Sequence, residues 1–202
     1  MNKLKCLFLT VVTLACTSAM AESDSNGTGL FLEPGISYQL SNSNSDYSGA
    51  LRNSSASTKG FGVLARAGIH VYDRFFVAAD ARYAILNFTD NANNFSANAS
   101  SWDIAPVVGL QMADSGARIF VGYVLAGNLD PQSSNGIDPS YGNATGWRVG
   151  AGLKIQHISV NIEWQRLHYG TGKLSGSGQS VSGLNYNPEA LVASVTFPID
   201  FN

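Results

Sequence analysis

The chain has 202 residues, a formal net charge of −2, 21 glycines and only 13% charged residues. One domain fits that length, and the weak net charge excludes a surface built for nucleic acid. Mean hydropathy is +0.02; outside residues 4–16 there is no long apolar run, which excludes a bundle of membrane helices.

Residues 1–21 read as a secretory signal, and 22–202 as the mature domain. Lys3 and Lys5 form the basic end, residues 4–15 the apolar stretch, and Ala19-Met20-Ala21 the small-x-small cleavage site. A rival reading takes Thr13-Leu14-Ala15-Cys16 as a lipoprotein box with Cys16 acylated. Such a box carries Leu where this chain has Thr13, so cleavage after Ala21 is favoured. Both cysteines, Cys6 and Cys16, lie in the removed segment. The mature domain is therefore expected to have no disulfide and no Cys metal site.

After a polar lead over 22–28, apolar and polar residues alternate with the period of extended strands. Strand one is predicted at 29–40, with Leu30, Leu32, Ile36, Tyr38 and Leu40 on one face and Glu33, Ser37 and Gln39 on the other. Strands two and three form a hairpin over 60–88. Phe61, Val63, Ala65, Ala67, Ile69 and Val71 share a face with Phe75, Val77, Ala79, Ala81, Tyr83 and Ile85. A three-residue turn, Tyr72-Asp73-Arg74, sets Val71 opposite Phe75 and Arg66 opposite Asp80. Opposite charges on facing positions support that pairing, and a slip of one residue would set charge against the apolar row.

Strand four is predicted at 102–112, with Trp102, Ile104, Val108, Leu110 and Met112 on the apolar face and Asp103 and Gln111 opposite. A four-residue turn over 113–116 leads to strand five, 117–126, with Ile119, Val121, Tyr123 and Leu125 against Arg118. Strand six, 146–155, sets Trp147, Val149, Ala151, Leu153 and Ile155 against Arg148 and Lys154. Gln156-His157 is the minimal turn, although a two-residue turn prefers Asn-Gly and a wider loop would keep the register. Strand seven, 158–169, sets Ile158, Val160, Ile162 and Trp164 against Asn161, Glu163 and Gln165. Strand eight, 189–201, carries Leu191, Ala193, Val195, Phe197, Ile199 and Phe201 on its apolar face.

The count is eight strands, most of them longer than the 5 to 6 residues typical of soluble sheets. A strand crossing a bilayer at a tilt needs about 9 to 11. The connections alternate long and short, with long loops over 41–57, 87–101, 127–145 and 170–187. An antiparallel outer-membrane barrel has that rhythm, with lipid against its apolar face and a polar lumen. An even strand number puts both termini on the periplasmic side, where the signal delivers the chain. Pro34 and Pro106 each remove a ladder donor, so a bulge or bend is expected at both. Arg166 and His168 fall on the outward row at the external end of strand seven, within reach of lipopolysaccharide phosphates.

This pattern resembles the small bacterial outer-membrane β-barrel proteins: the OmpA-type transmembrane domain, OmpX and the opacity-type adhesins. The likeness spans the mature chain and rests on the signal, the eight alternating strands and the aromatic-ended last strand. Asn202 after Phe201 departs from the family's usual terminal aromatic. The resemblance implies an all-β, eight-stranded, up-and-down transmembrane barrel in the cell outer membrane. It implies outer-membrane lipid and lipopolysaccharide as neighbours, barrel-assembly machinery as the partner during insertion, and a monomer. It also implies binding of external ligands or host surfaces through the loops.

The inward charges are Glu33, Arg66, Asp80, Arg82, Asp103, Arg118, Arg148, Lys154 and Glu163. They read as a structural network of ion pairs filling the lumen, because eight strands leave room only for side chains and unpaired charge there is costly. A selective pore is the alternative. Gly62, Gly68, Gly109, Gly122, Gly150 and Gly152 also face inward and are expected to make room for long Arg and Lys side chains. Tyr38, Phe61, Phe75, Tyr83, Trp102, Tyr123, Trp147, Trp164, Phe197 and Phe201 are expected in aromatic girdles at the membrane interfaces.

Catalysis is not expected, and neither is a cofactor or a metal. His157-x-Ser159 superficially resembles the motif of a lipid A deacylase, but it sits at a periplasmic turn without the neighbouring motif residues. The Asn-x-Ser/Thr triplets at Asn26, Asn53, Asn87, Asn98 and Asn143 read as accidents of composition. Three roles follow: a structural or surface-binding barrel first, then a small channel, then a lipid A-modifying enzyme. A soluble lipocalin-like barrel, with apolar lumen and polar exterior, is the rival at the level of fold.

Overall fold

The computed structural model describes residues 28–201, apart from 46–53, 73, 92–93, 113–114, 135, 177–178 and 183–185. The expected signal segment, with Cys6 and Cys16, lies outside the described residues. The elements are β1 (Gly29–Ser45), β2 (Ser54–Val71), β3 (Phe75–Asp90), β4 (Phe95–Gln111), β5 (Ala117–Val124), β6 (Ala126–Pro131), β7 (Ile137–Ile155), β8 (Ile158–Gly176), β9 (Gln179–Ser182), β10 (Glu189–Thr196) and β11 (Ile199–Phe201).

All pairings are antiparallel, and β1 closes on β10 and β11. Short elements merge into longer ones. β5 and β6 both pair with β4 on one side and β7 on the other. β9 and β10 hold the same register on β8, and β10 and β11 the same register on β1. The result is a ring of 8 strands in the order β1, β2, β3, β4, β5/β6, β7, β8, β9/β10/β11. Through the belt the ring closes with its strands paired on both sides, as a lipid environment requires.

One end of the tube, the turn end, carries three tight connections. Val71 pairs with Phe75, the Met112 N–H donates to the Ala117 carbonyl at 2.8 Å, and Ile155 pairs with Ile158. Those are the three-, four- and two-residue turns expected. Gln156 takes φ 53° to make the shortest one, so the wider loop is not formed.

The opposite end, the hairpin end, differs from expectation. Among the described residues, the stretches 41–57, 87–101, 127–145 and 170–187 are largely strand. β1 and β2 stay paired up to Ser45 and Ser54, β3 and β4 up to Asp90 and Phe95, and β7 and β8 up to Ile137 and Gly176. β7 and β8 have 19 residues each, about twice what a bilayer needs. Small polar residues on the outer face give these stretches the composition of loops. Their inner face carries Leu86, Phe88, Phe95, Leu129, Tyr141, Leu167 and Tyr169, all buried, and that row holds the extension together.

The prolines also act differently from expectation. Pro34 keeps one register with β2, and the ladder opens instead on the partner strand, between β10 and β11, where the Phe197 N–H still reaches the Pro34 carbonyl at 2.8 Å. Pro106 pairs in register with Ala79. The extra residue lies on the neighbouring strand: Val107 faces Gly122 while Ile104 faces Ala126. The bulge therefore falls at Val124 and Leu125, beside a proline that has no N–H to offer.

Candidate functional site

The outer wall carries the apolar rows. Phe61 is 72% exposed and Ile85 65%, and Ile36, Val63, Val149, Val160 and Ile162 stand open beside them. A continuous belt of this kind needs lipid against it. Its hairpin-end border is aromatic: Tyr38 packs on Phe61 at 4.8 Å and Tyr123 on Trp147 at 4.9 Å, while Tyr83 pairs with Trp102 and Trp164 with Val149. Phe75 and Phe201 border the turn end. Phe197 does not belong to either girdle. It pairs at the level of Pro34, midway between Leu30 and Tyr38, because the alternation carries it into the wall and not to a strand end.

Inside, three layers fill the tube. The middle layer is ionic. Arg118 donates to Glu33 through Nη1 at 2.6 Å and Nη2 at 3.1 Å. Arg82 grips Glu163 through Nη1 at 2.6 Å and Nη2 at 2.7 Å. Asp80 receives Arg66 at 2.9 Å, Arg82 at 2.8 Å and Arg148 at 3.2 Å. Arg148 also donates to Asp103 and lies 3.7 Å from Glu163, and Arg66 lies 3.9 Å from Glu33. The Arg118 Nε donates to Asn161 at 2.8 Å. Four guanidinium groups thus meet four carboxylates, with no net charge. Glu33, Arg66, Asp80, Arg118, Arg148 and Glu163 are all buried.

The ring order gives this layer its geometry. β1 and β5 lie four strands apart in eight, so the Arg118–Glu33 bridge crosses the full bore. β3 and β8 are also four apart, so the Arg82–Glu163 bridge crosses it too, a quarter-turn from the first. Bidentate arginine forks suit such spans because they fix both distance and orientation.

Below, toward the turn end, Phe31, Phe76, Ala78, Val107 and Phe120 form an apolar layer. The Arg66 guanidinium stacks on Phe120 at 4.5 Å. Above, toward the hairpin end, Phe88, Phe95, Tyr141, Tyr169 and Tyr186 cluster with Leu86, Val124, Leu129 and Leu167. Phe88 lies 6.0 Å from Phe95, and Tyr141 lies 4.8 Å from Tyr186.

Lys154 leaves the predicted lumen set. It sits at the mouth of the turn end, where its ammonium pairs with Asp200 at 2.9 Å, and His70 lies 3.7 Å from the same carboxylate. It is the penultimate residue of β7, too close to that rim for a long side chain to reach the middle layer. The glycines are inward: Gly109 and Gly150 admit the Phe76 and Phe120 rings, while Gly122 lies beside the predicted cation Arg148 and Gly152 pairs with Arg118. His157 is exposed in its turn while Ser159 is buried, and among the described residues the Ser159 hydroxyl has no hydrogen-bond partner, His157 included. Arg166 faces outward, 3.4 Å from Glu189, and His168 lies 2.5 Å from Asn187.

Sequence reasoning missed both aromatic layers and Asp200. The signal was present: Phe31, Phe76, Phe88 and Phe120 interrupt rows that are otherwise small or polar, and Asp200 stands between the outward Ile199 and Phe201.

A closed antiparallel tube with apolar wall, aromatic rims and a paired ionic interior is a transmembrane β-barrel. The sequence pattern described as "outer membrane protein beta-barrel domain" matches residues 7–197. The chain belongs to that family, and its place is the outer membrane. Among solved structures, OprG of Pseudomonas aeruginosa is similar at 13% identity and TM-score 0.50, covering 88% of this chain and 97% of that one. Neisserial surface protein A is 14% identical, with TM-score 0.48 and coverage of 83% and 96%. Ail of Yersinia pestis, solved with the heparin analogue sucrose octasulfate, is 10% identical, with TM-score 0.44 and coverage of 87% and 100%. No curated protein sequence matches.

Proposed function

We propose that this protein is a non-conducting barrel that acts through its surfaces, structurally and by binding at the hairpin end, which faces the exterior. The observation that carries the reading is the pair of full-diameter bridges, Arg118–Glu33 and Arg82–Glu163, held between two apolar layers. An ion passing through would have to separate buried, bidentate pairs, which is costly in a low-dielectric bore, and would then meet stacked aromatic rings. The hairpins extend well past the aromatic border and expose Asn, Ser and Thr to water, a composition suited to adaptable contact. The resemblance to opacity-type adhesins points the same way.

The test has two parts. In planar bilayers the full chain is expected to give no steady openings; reproducible openings would overturn the closed-lumen reading. In intact cells, protease added outside is expected to clip the hairpins. Protection of the hairpins, with cleavage at the tight turns, would overturn the orientation.

A further inference from the structure

The apolar wall is not equally tall all round. β3 carries six alternate outward apolar residues, from Phe75 to Ile85, before Asn87. β8 carries four, from Ile158 to Trp164, between the His157 turn and the exposed Arg166. β5 likewise carries four, from Ala117 to Tyr123, and β7 between them carries five, from Trp147 to Ile155. At about 3.3 Å per residue and a tilt of about 40°, six alternate residues give about 25 Å of apolar height and four give about 15 Å. The taller figure matches the apolar band of an outer-membrane barrel. The face on β5, β7 and β8 falls short of it.

The same face is grooved. Ile119 pairs with Ala151 and Ala151 with Ile162 along one rung; Val121 pairs with Val149 and Val149 with Trp164 along the next. Between the rungs lie Phe120, whose ring turns inward, and Gly150, which has no side chain. The groove has a volume of about 780 Å³ and a lining of apolar residues. At its hairpin-end corner stand Arg166 and Glu189, 3.4 Å apart on neighbouring strands, with side chains 66% and 51% exposed. The strands lean, so a line along the membrane normal runs down from that corner across Trp164, Val149, Ala151 and Ile119, over the groove.

Height and charge together select what covers this face. A short apolar wall makes the bilayer thin beside it, or is relieved by association. A second copy presents a wall of the same height, and contact withdraws both walls from lipid. Two chains inserted the same way up form a closed pair about a two-fold axis along the membrane normal, and the contact is then isologous. An axis between Arg166 and Glu189 sets the Arg166 of one copy against the Glu189 of the other, so opposite charges meet at the corner. We propose that the face formed by β5, β7 and β8 is the contact between two copies of this chain lying side by side in the membrane, in place of the monomer expected from the resemblance.

Donor- and acceptor-labelled full-length chains, reconstituted in phosphatidylcholine vesicles, test the contact by energy transfer. The wild type is expected to transfer energy, and an excess of unlabelled chain should abolish the signal. Association should tighten as the lipid acyl chains are lengthened, because the mismatch grows. Arg166→Glu sets carboxylates against carboxylates across the axis, and Glu189→Arg sets cations against cations. Each variant alone is therefore expected to self-associate about tenfold more weakly than wild type. Mixed with each other, the two variants should recover wild-type transfer, which no effect within one chain can produce. Both side chains stand outside the barrel, so the folded, unheated gel band should be unchanged. No transfer by the wild type in long-chain lipid would overturn the proposal and leave the face to a thinned bilayer. Wild-type association of both single variants, or no recovery in their mixture, would overturn the assignment of this face.

Discussion

Arg82 and Glu163 meet across the whole bore, Nη1 to Oε1 at 2.6 Å and Nη2 to Oε2 at 2.7 Å. The residues are 81 positions apart in sequence, and each sits in a layer closed by apolar groups on both sides. Removing one partner of such a pair costs about 3 kcal/mol or more, chiefly through the charge left behind. Arg82→Met should therefore lower unfolding stability in lipid vesicles by about that amount. Arg82→Met combined with Glu163→Leu should lower it by clearly less than the sum of the single changes. Urea titration followed by tryptophan fluorescence measures the cycle, and additive losses would mean that the two groups do not act on each other.

The carboxylates of the middle layer are unequal. Asp80 is fully buried and takes three guanidinium groups, whereas Asp103 retains some exposure and takes only Arg148. Asp80→Asn should accordingly destabilise the barrel well beyond Asp103→Asn, because it leaves three converging cations short of a counter-charge. The order of unfolding midpoints in the two variants decides this.

The upper aromatic layer has its own test. Phe88 is 2% exposed and touches rings on β4, on β7 and on the segment between β9 and β10. Truncating a buried Phe to Ala costs about 3 to 5 kcal/mol, and here the loss should be confined to the extension. Phe88→Ala is expected to insert and to run as a folded band, yet to expose the hairpins to limited proteolysis many times faster than wild type. Unchanged proteolysis would mean that the layer does not hold the extension.

Tyr169, beyond the lipid-facing belt, supplies a pH dependence. Burial, and then the neighbouring Tyr186, push its phenol above the ordinary value of 10.0. The unfolded chain ionises near that value and the folded chain does not. Stability of the extension is therefore fully present below about pH 10 and falls as the pH rises past it. Tyr169→Phe keeps the ring and removes the titration, so its unfolding midpoint should drop less than that of wild type between about pH 8 and about pH 11. Parallel curves would count against the assignment.

What could be read in advance followed from what each residue type tells. The Arg66–Asp80 pairing, the three turns and the lipid-facing rows were legible because a period of two, with a membrane on one side, leaves a single permissible register. The diametric bridges were not, since pairing across a tube depends on which strands end up opposite, and that follows only once the ring has closed. The hairpin extension was missed for a different reason. Water on its outside and a packed layer on its inside place Asn and Ser beside Phe88 and Tyr169, and composition averaged along 87–101 or 170–187 hides the alternation. Lys154 was misplaced because inward parity gives a side chain's direction and not its depth.

The equal count of guanidinium groups and carboxylates in the middle layer has an electrical consequence. A field across the membrane acts on each unit charge with about 2.3 kcal/mol per 100 mV, and on a balanced, mutually clamped set the forces cancel. Voltage therefore exerts no net pull on this layer.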